Sequence, residues 1–210
     1  MTWLVALILL TTSSLWFVLQ AAWFDASTLS ARTTVNGWRD GSGPRMTSET
    51  WIKTRDKLKY ALGEGSGNAQ LYDDLGYLYA ARSQSIGVVP INGPAYQIQQ
   101  SLMDLAIQHY RTACELRPTF PYSWTYLALA KNFRKQHDDE FWSAFDKALQ
   151  FGRNEAALQG ALGEMAFPLW SVMGSQRQEL IVMMVTTAKK ELRNHLLDTA
   201  IQAGVQLIIK

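Results

Sequence analysis

The sequence predicts an all-α protein, with an N-terminal membrane-spanning helix followed by a solenoid of helical hairpins. Three observations support this prediction. The first 24 residues carry no charge, apolar residues downstream recur at helical spacing between Gly and Pro breaks, and several apolar positions recur 35 residues later. Nothing outside the first segment and one short loop has the alternating pattern of a strand.

The segment 1–24, MTWLVALILLTTSSLWFVLQAAWF, has the length that a membrane-spanning helix needs, which predicts an anchor in the lipid bilayer. A cleaved signal peptide is the alternative, but no Lys or Arg precedes Arg32 and LQAAWF is a poor cleavage site. We therefore expect a retained single-pass anchor. The arginines that follow it favour a cytoplasmic location for the remainder of the chain. That rule compares the charges on both sides of a span, and almost no tail precedes this one, so the orientation stays open.

Residues 25–46 are rich in Gly, Ser, Thr and Arg and predict a linker to a helical domain over 47–210. The first helix of that domain has Ser and Thr as possible caps and ends before the GEGSG turn at 63–67. A second helix is predicted from Ala69 to Gln84. An insertion at about 83–100 follows, predicted as a loop because Gly87, Pro90, Gly93 and Pro94 lie within it.

The next helix is predicted over 99–117, and the turn RPTFPYSW then separates it from a helix that begins near Trp124. Pro118 stops the first of these helices, and the chain turns on Pro118 and Pro121 before the next one. A further helix, DEFWSAFDKALQFG, is predicted to have Asp138 or Asp139 as its N-cap and to stop at Gly152. Three more helical stretches complete the chain, and the last, over 192–209, is predicted to cap the array.

A repeat explains why the chain turns at RPTFPYSW. The first half of the tetratricopeptide pattern matches Tyr72, Leu75, Gly76 and Tyr79, and the second half matches Ala106, Tyr110, Ala113 and Pro118. Phe141, Phe145 and Ala148 lie 35 residues after Ala106, Tyr110 and Ala113. We therefore expect about three degenerate repeats, with Pro118 closing one hairpin and Trp124 opening the next.

First helices line the concave surface of such an array, so their polar and aromatic residues predict a partner-binding face. The long inserted loop is a second candidate, because such loops often carry binding. The predicted partner-binding residues are Tyr72, Asp73, Tyr79, Arg82, Lys131, Asn132 and Arg134 on the helices, and Val89 and Tyr96 in the insertion.

The remaining polar residues do not indicate chemistry. The run HDDE at 137–140 places its side chains in different directions on a helix, which favours an N-cap over a metal site. The sequence has no motif typical of phosphate binding or nucleophilic catalysis, and a net charge of +2 gives no footprint for nucleic acid. We expect no enzymatic activity, no metal and no cofactor.

The layout resembles VpsP-type polysaccharide biosynthesis proteins of bacterial exopolysaccharide operons. The resemblance rests on LYDDLGYLYAAR (71–82), AIQHYRTACELRPTFPYSWTYLALAK (106–131) and DEFWSAFDKALQFGRNEAALQ (139–159). It implies a single-pass protein of the bacterial inner membrane, with the helical domain in the periplasm and an accessory role in exopolysaccharide assembly or export.

Three hypotheses about function follow from the sequence. The first is a non-enzymatic, membrane-anchored scaffold that binds protein partners of the exopolysaccharide machinery. The second is the same kind of scaffold in another envelope machine, for pilus, secretion or cytochrome assembly. The third is a sugar-active enzyme, which would require paired carboxylates facing one cleft, and the sequence supports no such pair.

Overall fold

A computed structural model describes residues 2–63 and 67–207 of the chain. These residues form helices and turns, and no strand occurs among them, as the sequence predicts. The helices are α1 (Thr2–Arg39), α2 (Ser48–Gly63), α3 (Ala69–Gln84), α4 (Pro94–Leu116), α5 (Pro121–Phe133), α6 (Asp139–Gly152), α7 (Ala156–Ala166), α8 (Ser175–Thr187) and α9 (Lys190–Gln202), with a 3-10 turn at Phe167–Leu169. Residues 64–66 of the predicted GEGSG turn and residues 208–209 of the predicted last helix lie outside the described residues.

The prediction of a membrane-spanning anchor over 1–24 is wrong. Across residues 2–63 and 67–207, every helix falls short of the combined length and apolarity that a membrane crossing requires. Four consecutive hydroxyl residues, Thr11 to Ser14, divide the apolar stretch, and Ser14 donates a hydrogen bond back to the Leu10 carbonyl at 2.7 Å. The helix does not end after this stretch but continues without interruption to Arg39.

The predicted linker at 25–46 is helical as far as Arg39, because its residues include an apolar face that the sequence analysis did not identify. Thr28, Ala31 and Val35 lie three and four residues apart and are buried. This part of α1 belongs to the first of two compact units, which covers residues 1–78, and α1 packs on α2 within it. The core of this unit also contains Trp51, Leu58 and Ala61 of α2 and Leu71, Leu75 and Leu78 of α3.

A buried carboxylate ties α1 to α3 in the first unit. Asp74 is almost fully buried and accepts hydrogen bonds from Arg39 Nη2 at 3.1 Å and Gln70 Nε2 at 2.9 Å. The Arg32 guanidinium lies 4.0 Å away. Burial raises the pKa of Asp74 above its ordinary value, and the two arginines oppose this shift. Such a carboxylate needs its partners, so Asp74 fixes the position of the C-terminal part of α1.

The insertion at 83–100 is shorter as a loop than the sequence predicts. Helix α4 already begins at Pro94, because proline suits the first position of a helix, where no backbone N–H bond is needed. The loop base is held by Gln99, whose Nε2 donates to the carbonyls of Gly87 at 2.9 Å and Ser83 at 3.3 Å. Ser83 Oγ in turn donates to the Gln99 carbonyl at 2.7 Å.

In the second unit, residues 79–210, helices pack mainly on their near neighbours along the chain. The most extensive packing is between α4–α5, α5–α6, α5–α7, α6–α7, α7–α8, α7–α9 and α8–α9. The turn between α4 and α5 is short and ordered, since Trp124 Nε1 donates to the Pro118 carbonyl at 2.8 Å and Lys147 Nζ lies 3.9 Å from the Trp124 ring centre. The end of α4 at Leu116 agrees with the predicted boundary, whereas α5 begins at Pro121, before the predicted start near Trp124. The assignment to tetratricopeptide repeats stays a prediction.

Two bidentate ion pairs connect alternate helices of the second unit. Arg111 of α4 binds Glu140 of α6 with N–O distances of 2.6 and 3.0 Å. Asp146 of α6 binds Arg177 of α8 at 2.6 and 2.9 Å. Residues 111 and 146 are 35 residues apart, which is the offset of the predicted repeat, and each makes a bidentate link to the next-but-one helix with the charge reversed.

Two glycines of α7 provide a matched test of helix packing. A Cβ atom at Gly163 would collide with Leu196 of α9 and lie 3.2 Å from Phe167, whereas one at Gly160 would meet nothing within 4 Å. Alanine should improve helix propensity equally at both sites, by about 1 kcal/mol. We expect Gly163→Ala to be less stable than Gly160→Ala by about 2 kcal/mol, because only residue 163 is overpacked. Urea unfolding of the two variants measures this difference, and equal stability would contradict the α7–α9 packing.

Candidate functional site

The predicted partner-binding residues do not form one exposed polar face. The structure buries Asp73, Tyr79 and Lys131, and half-buries Tyr72, Arg82, Asn132, Arg134, Val89 and Tyr96. Tyr79 stacks on His109, with ring centres 5.5 Å apart. Their role in binding a partner stays a prediction, but several have structural contacts that the sequence did not indicate.

Lys131 is buried beneath an ion-pair network whose carboxylates, Asp138 and Glu140, are partly exposed. Its side chain is only 4% exposed, and Nζ donates to Asp138 Oδ2 at 2.9 Å and Glu140 Oε2 at 2.6 Å. Burial lowers the pKa of the amine, but the hydrogen bonds and charges of the two carboxylates outweigh burial and raise it overall. The sequence analysis missed this network because Lys131 stands where the repeat pattern has an aromatic residue.

Glu140 is the centre of this network. The Arg111 guanidinium lowers the pKa of Glu140 most strongly, burial opposes the effect, and Lys131 lowers it further, to about 2. The carboxylate therefore stays ionised at neutral pH and connects α4, α5 and α6. A carboxylate held in this state cannot donate a proton, so Asp138 and Glu140 do not have the properties of the acid in a glycosidase pair.

The polar residues at the end of α5 also serve the fold. Arg134 binds Asp104 of α4 with N–O distances of 2.8 and 3.3 Å. Asn132 Oδ1 lies 2.8 Å from His137 Nε2, and burial, followed by the nearby Lys135, lowers the pKa of His137 below its ordinary value. These contacts hold the turn between α5 and α6.

The HDDE run forms the N-terminus of α6, as the sequence predicts. Asp138 is the N-cap, because its Oδ1 accepts a hydrogen bond from the Phe141 backbone N–H at 3.0 Å. Asp139 and Glu140 lie in the first turn, where negative charge favours the helix dipole. Within residues 2–63 and 67–207, no group of three His, Cys, Asp or Glu side chains is arranged to hold a metal ion.

An aromatic cluster at the α4–α5 junction was not identified from the sequence. It consists of Tyr110, Phe120, Tyr122 and Tyr126. Adjacent ring centres lie 5.5 Å apart for Tyr110–Tyr126, 6.4 Å for Tyr126–Tyr122 and 5.2 Å for Tyr122–Phe120. Tyr110 is buried beneath the others, which are half-buried. The Arg117 guanidinium lies 4.0 Å from the Phe120 ring centre.

This cluster has the composition of a recognition surface. Tyrosine and arginine are enriched at protein interfaces, because each offers a large contact area together with a polar group. The cluster is also held in place, since Tyr126 packs on the buried Tyr110 ring. The sequence signal for it is the density of aromatic residues around RPTFPYSW.

The insertion presents a second surface with a different character. Val88 is fully exposed, and Ile91 and Ile98 are 75% and 57% exposed. Residues 83–103 contain no charged side chain, in a chain where 18% of residues are charged. The predicted candidates Val89 and Tyr96 are half-buried here, so the residues most accessible to a partner are their neighbours.

The comparisons with known proteins do not place this chain in a family. No protein-family model matches it, and no curated protein matches it significantly. The resemblance to VpsP-type proteins therefore stays a prediction that rests on the quoted residues.

The Glu140 network gives a pH-dependent prediction. Because the folded-state pKa of Glu140 is lowered from 4.5 to about 2, its stabilisation is present above pH 4.5 and is lost as the pH falls towards 2. A pKa lowered by this much would correspond to about 3 kcal/mol of unfolding free energy if solvent screened none of it. The side chain is 35% exposed and solvent screens it, so we expect a loss of about 1–2 kcal/mol.

Unfolding free energies measured from pH 6 to pH 2 test this prediction. Glu140→Gln should be less stable than the wild type at pH 6 and should depend less on pH below 4.5. The exposed Glu164 of α7 provides the control, and Glu164→Gln should keep the wild-type pH dependence. If Glu140→Gln lost stability in parallel with the wild type, the lowered pKa would be wrong.

Proposed function

We propose that this protein is a non-enzymatic scaffold that binds protein partners in bacterial exopolysaccharide biosynthesis or export. The observation that carries the proposal is the aromatic cluster formed by Tyr110, Phe120, Tyr122 and Tyr126, with Arg117 against its edge. Half-buried aromatic rings that are fixed from below bind a partner at a low entropic cost, because little side-chain motion is left to lose.

The helices around the cluster support a binding role through their rigidity. Arg111, Lys131 and Glu140 connect α4, α5 and α6 by charge-assisted hydrogen bonds. The cluster lies on α4 and α5 and on the turn between them, so these bonds also limit its movement. A surface built this way is organised before a partner arrives.

The exopolysaccharide context depends on the resemblance of residues 71–82, 106–131 and 139–159 to VpsP-type proteins. The second candidate is a scaffold for pilus, secretion or cytochrome assembly, which the same surface would serve equally well. The partner distinguishes the two candidates. The ionised state of Glu140 and its contact with Lys131 favour a structural role for these residues over a sugar-active enzyme.

The test is affinity purification of the tagged full chain from native cells after mild crosslinking, comparing the wild type with Tyr122→Ala. We expect the wild type to recover glycosyltransferases, a chain-length regulator or an export porin. Tyr122→Ala should reduce that recovery about tenfold, because central interface tyrosines often contribute about 1–2 kcal/mol or more. Tyr60, which is 73% exposed on α2, provides a matched control, and Tyr60→Ala should leave recovery unchanged.

Each outcome bears on one part of the proposal. Recovery of pilus, secretion or cytochrome components would favour the second candidate. Equal recovery with Tyr122→Ala and the wild type would exclude the aromatic cluster as the binding surface. A thermal melt of Tyr122→Ala that matches the wild type would show that reduced recovery reflects lost contacts and not unfolding.

A further inference from the structure

Three half-buried rings of the aromatic cluster follow one another from α5 to the turn before it. The ring centres of Tyr126 and Tyr122 are 6.4 Å apart, and those of Tyr122 and Phe120 are 5.2 Å apart. The ring planes are tilted by 56° and 30° in these two pairs, so neighbouring rings diverge and do not stack face to face. Side chains of a ligand can pack between rings that diverge in this way.

The polar groups of the cluster favour a ligand that supplies hydrogen-bond acceptors. The Arg117 guanidinium, 4.0 Å from the Phe120 ring centre, has five N–H donors and no acceptor. The Tyr122 hydroxyl donates one hydrogen bond and also accepts. None of the cluster's own side chains is a carboxylate or an amide. The cluster therefore suits a ligand that brings carbonyl or carboxylate oxygens and has few N–H groups of its own.

This preference distinguishes between the conformations of a peptide ligand. The carbonyls of a helical peptide bond within that helix. An extended strand needs a sheet edge with unpaired backbone groups, and α4 and α5 offer no such edge because their backbones bond within each helix. A proline-rich segment forms a polyproline II helix, which has no internal hydrogen bonds, and each proline lacks an N–H group. Of these conformations, polyproline II brings the most acceptors and the fewest donors.

The spacing of the rings agrees with this conformation. A polyproline II helix rises about 3.1 Å per residue, so every second residue advances by about 6 Å. The separations of the ring centres, 6.4 Å for Tyr126–Tyr122 and 5.2 Å for Tyr122–Phe120, are close to this advance. Proline-rich segments bind aromatic-lined grooves in proteins, because a preformed polyproline II helix has little conformational entropy left to lose.

Arg117 adds a positive charge at the Phe120 end of the ring series. A guanidinium that lies against a ring face can bind a carboxylate through N–H groups in its own plane. Such charge-assisted pairs are stronger than neutral hydrogen bonds and also fix the orientation of the ligand. A proline-rich segment with an acidic residue beside its prolines would therefore complement both the rings and the charge.

We propose that the aromatic cluster binds a proline-rich, extended segment of the partner protein, with an acidic residue of that segment at Arg117. The inference rests on the proposed function, because it states the chemistry of the partner that the same cluster binds. Prolines of the segment pack between Tyr126 and Tyr122 and between Tyr122 and Phe120. The Tyr122 hydroxyl donates to a backbone carbonyl of the segment.

Fluorescence anisotropy of labelled peptides with the purified full chain tests the proposal. The first probe has eight prolines flanked by one aspartate on each side, the second has lysines in place of the aspartates, and the third has glycines and serines in place of the prolines. We expect saturable binding of the first probe, and at least about tenfold weaker binding of the other two. Tyr122→Ala should weaken binding of the first probe about tenfold. Tyr60→Ala on α2 is the matched control and should bind like the wild type.

A charge reversal tests the contact at Arg117. Arg117→Glu should bind the lysine probe more tightly than the aspartate probe, because the attraction is reversed. A variant that is unfolded cannot produce this result, and the neutral Arg117→Gln should bind the two probes with similar affinity. Lys190 is exposed at the start of α9, and Lys190→Glu, which changes the net charge equally, should keep the wild-type preference. A wild-type preference in the Arg117 variants would overturn this contact.

The proposed segment and the proposed function fail in different ways. If the wild type binds no proline probe while Tyr122→Ala still loses its partners, the proline-rich segment is wrong and the cluster stays a protein-binding surface. If the probes bind equally well to Tyr122→Ala, the cluster is not their site. Probe binding that Tyr122→Ala weakens, together with unchanged partner recovery, would overturn the proposed function and keep the proline-binding site.

Discussion

The buried ammonium group of Lys131 is the interaction on which the second unit most depends. A lysine side chain that is 4% exposed must be neutralised, and Asp138 and Glu140 do this from the start of α6. Glu140 also binds Arg111 of α4, so a single carboxylate joins three helices. The turn between α5 and α6 is therefore determined by the requirement to bring two acids to one amine.

Two ion pairs of the second unit occur at the 35-residue spacing of the predicted repeats. Residues 111 and 146 occupy corresponding positions, and each binds an oppositely charged residue on the next-but-one helix. Residue 111 is basic and residue 146 is acidic. If the partners were exchanged, Arg111 would meet Arg177, and like charges would repel. Charge reversal specifies the order of stacking, which uniformly apolar contacts would leave less well defined.

Two surface features of the second unit differ in chemical character. The aromatic cluster around Tyr122 combines apolar area with phenol groups and with Arg117, which suits a different protein with its own polar pattern. The insertion differs in character, because Val88 is fully exposed and residues 83–103 carry no charged side chain. The largest members of the hydrophobic core, such as Phe141, Phe145 and Leu127, lie outside both surfaces, whereas Tyr110 belongs to the core and to the aromatic cluster.

The sequence by itself determined the helical class, the break at RPTFPYSW, and an N-cap at Asp138 or Asp139, because these depend on local periodicity, proline and capping chemistry. It misjudged residues 1–24 as a membrane span, and it missed that residues 25–39 are helical. It also assigned Lys131 to an open surface. Only the tertiary structure decided these points, since burial and ion pairing depend on distant residues. Asp74 meets α1 across 35 positions, and Arg111 meets Glu140 across 29. No local pattern specifies which distant side chains meet.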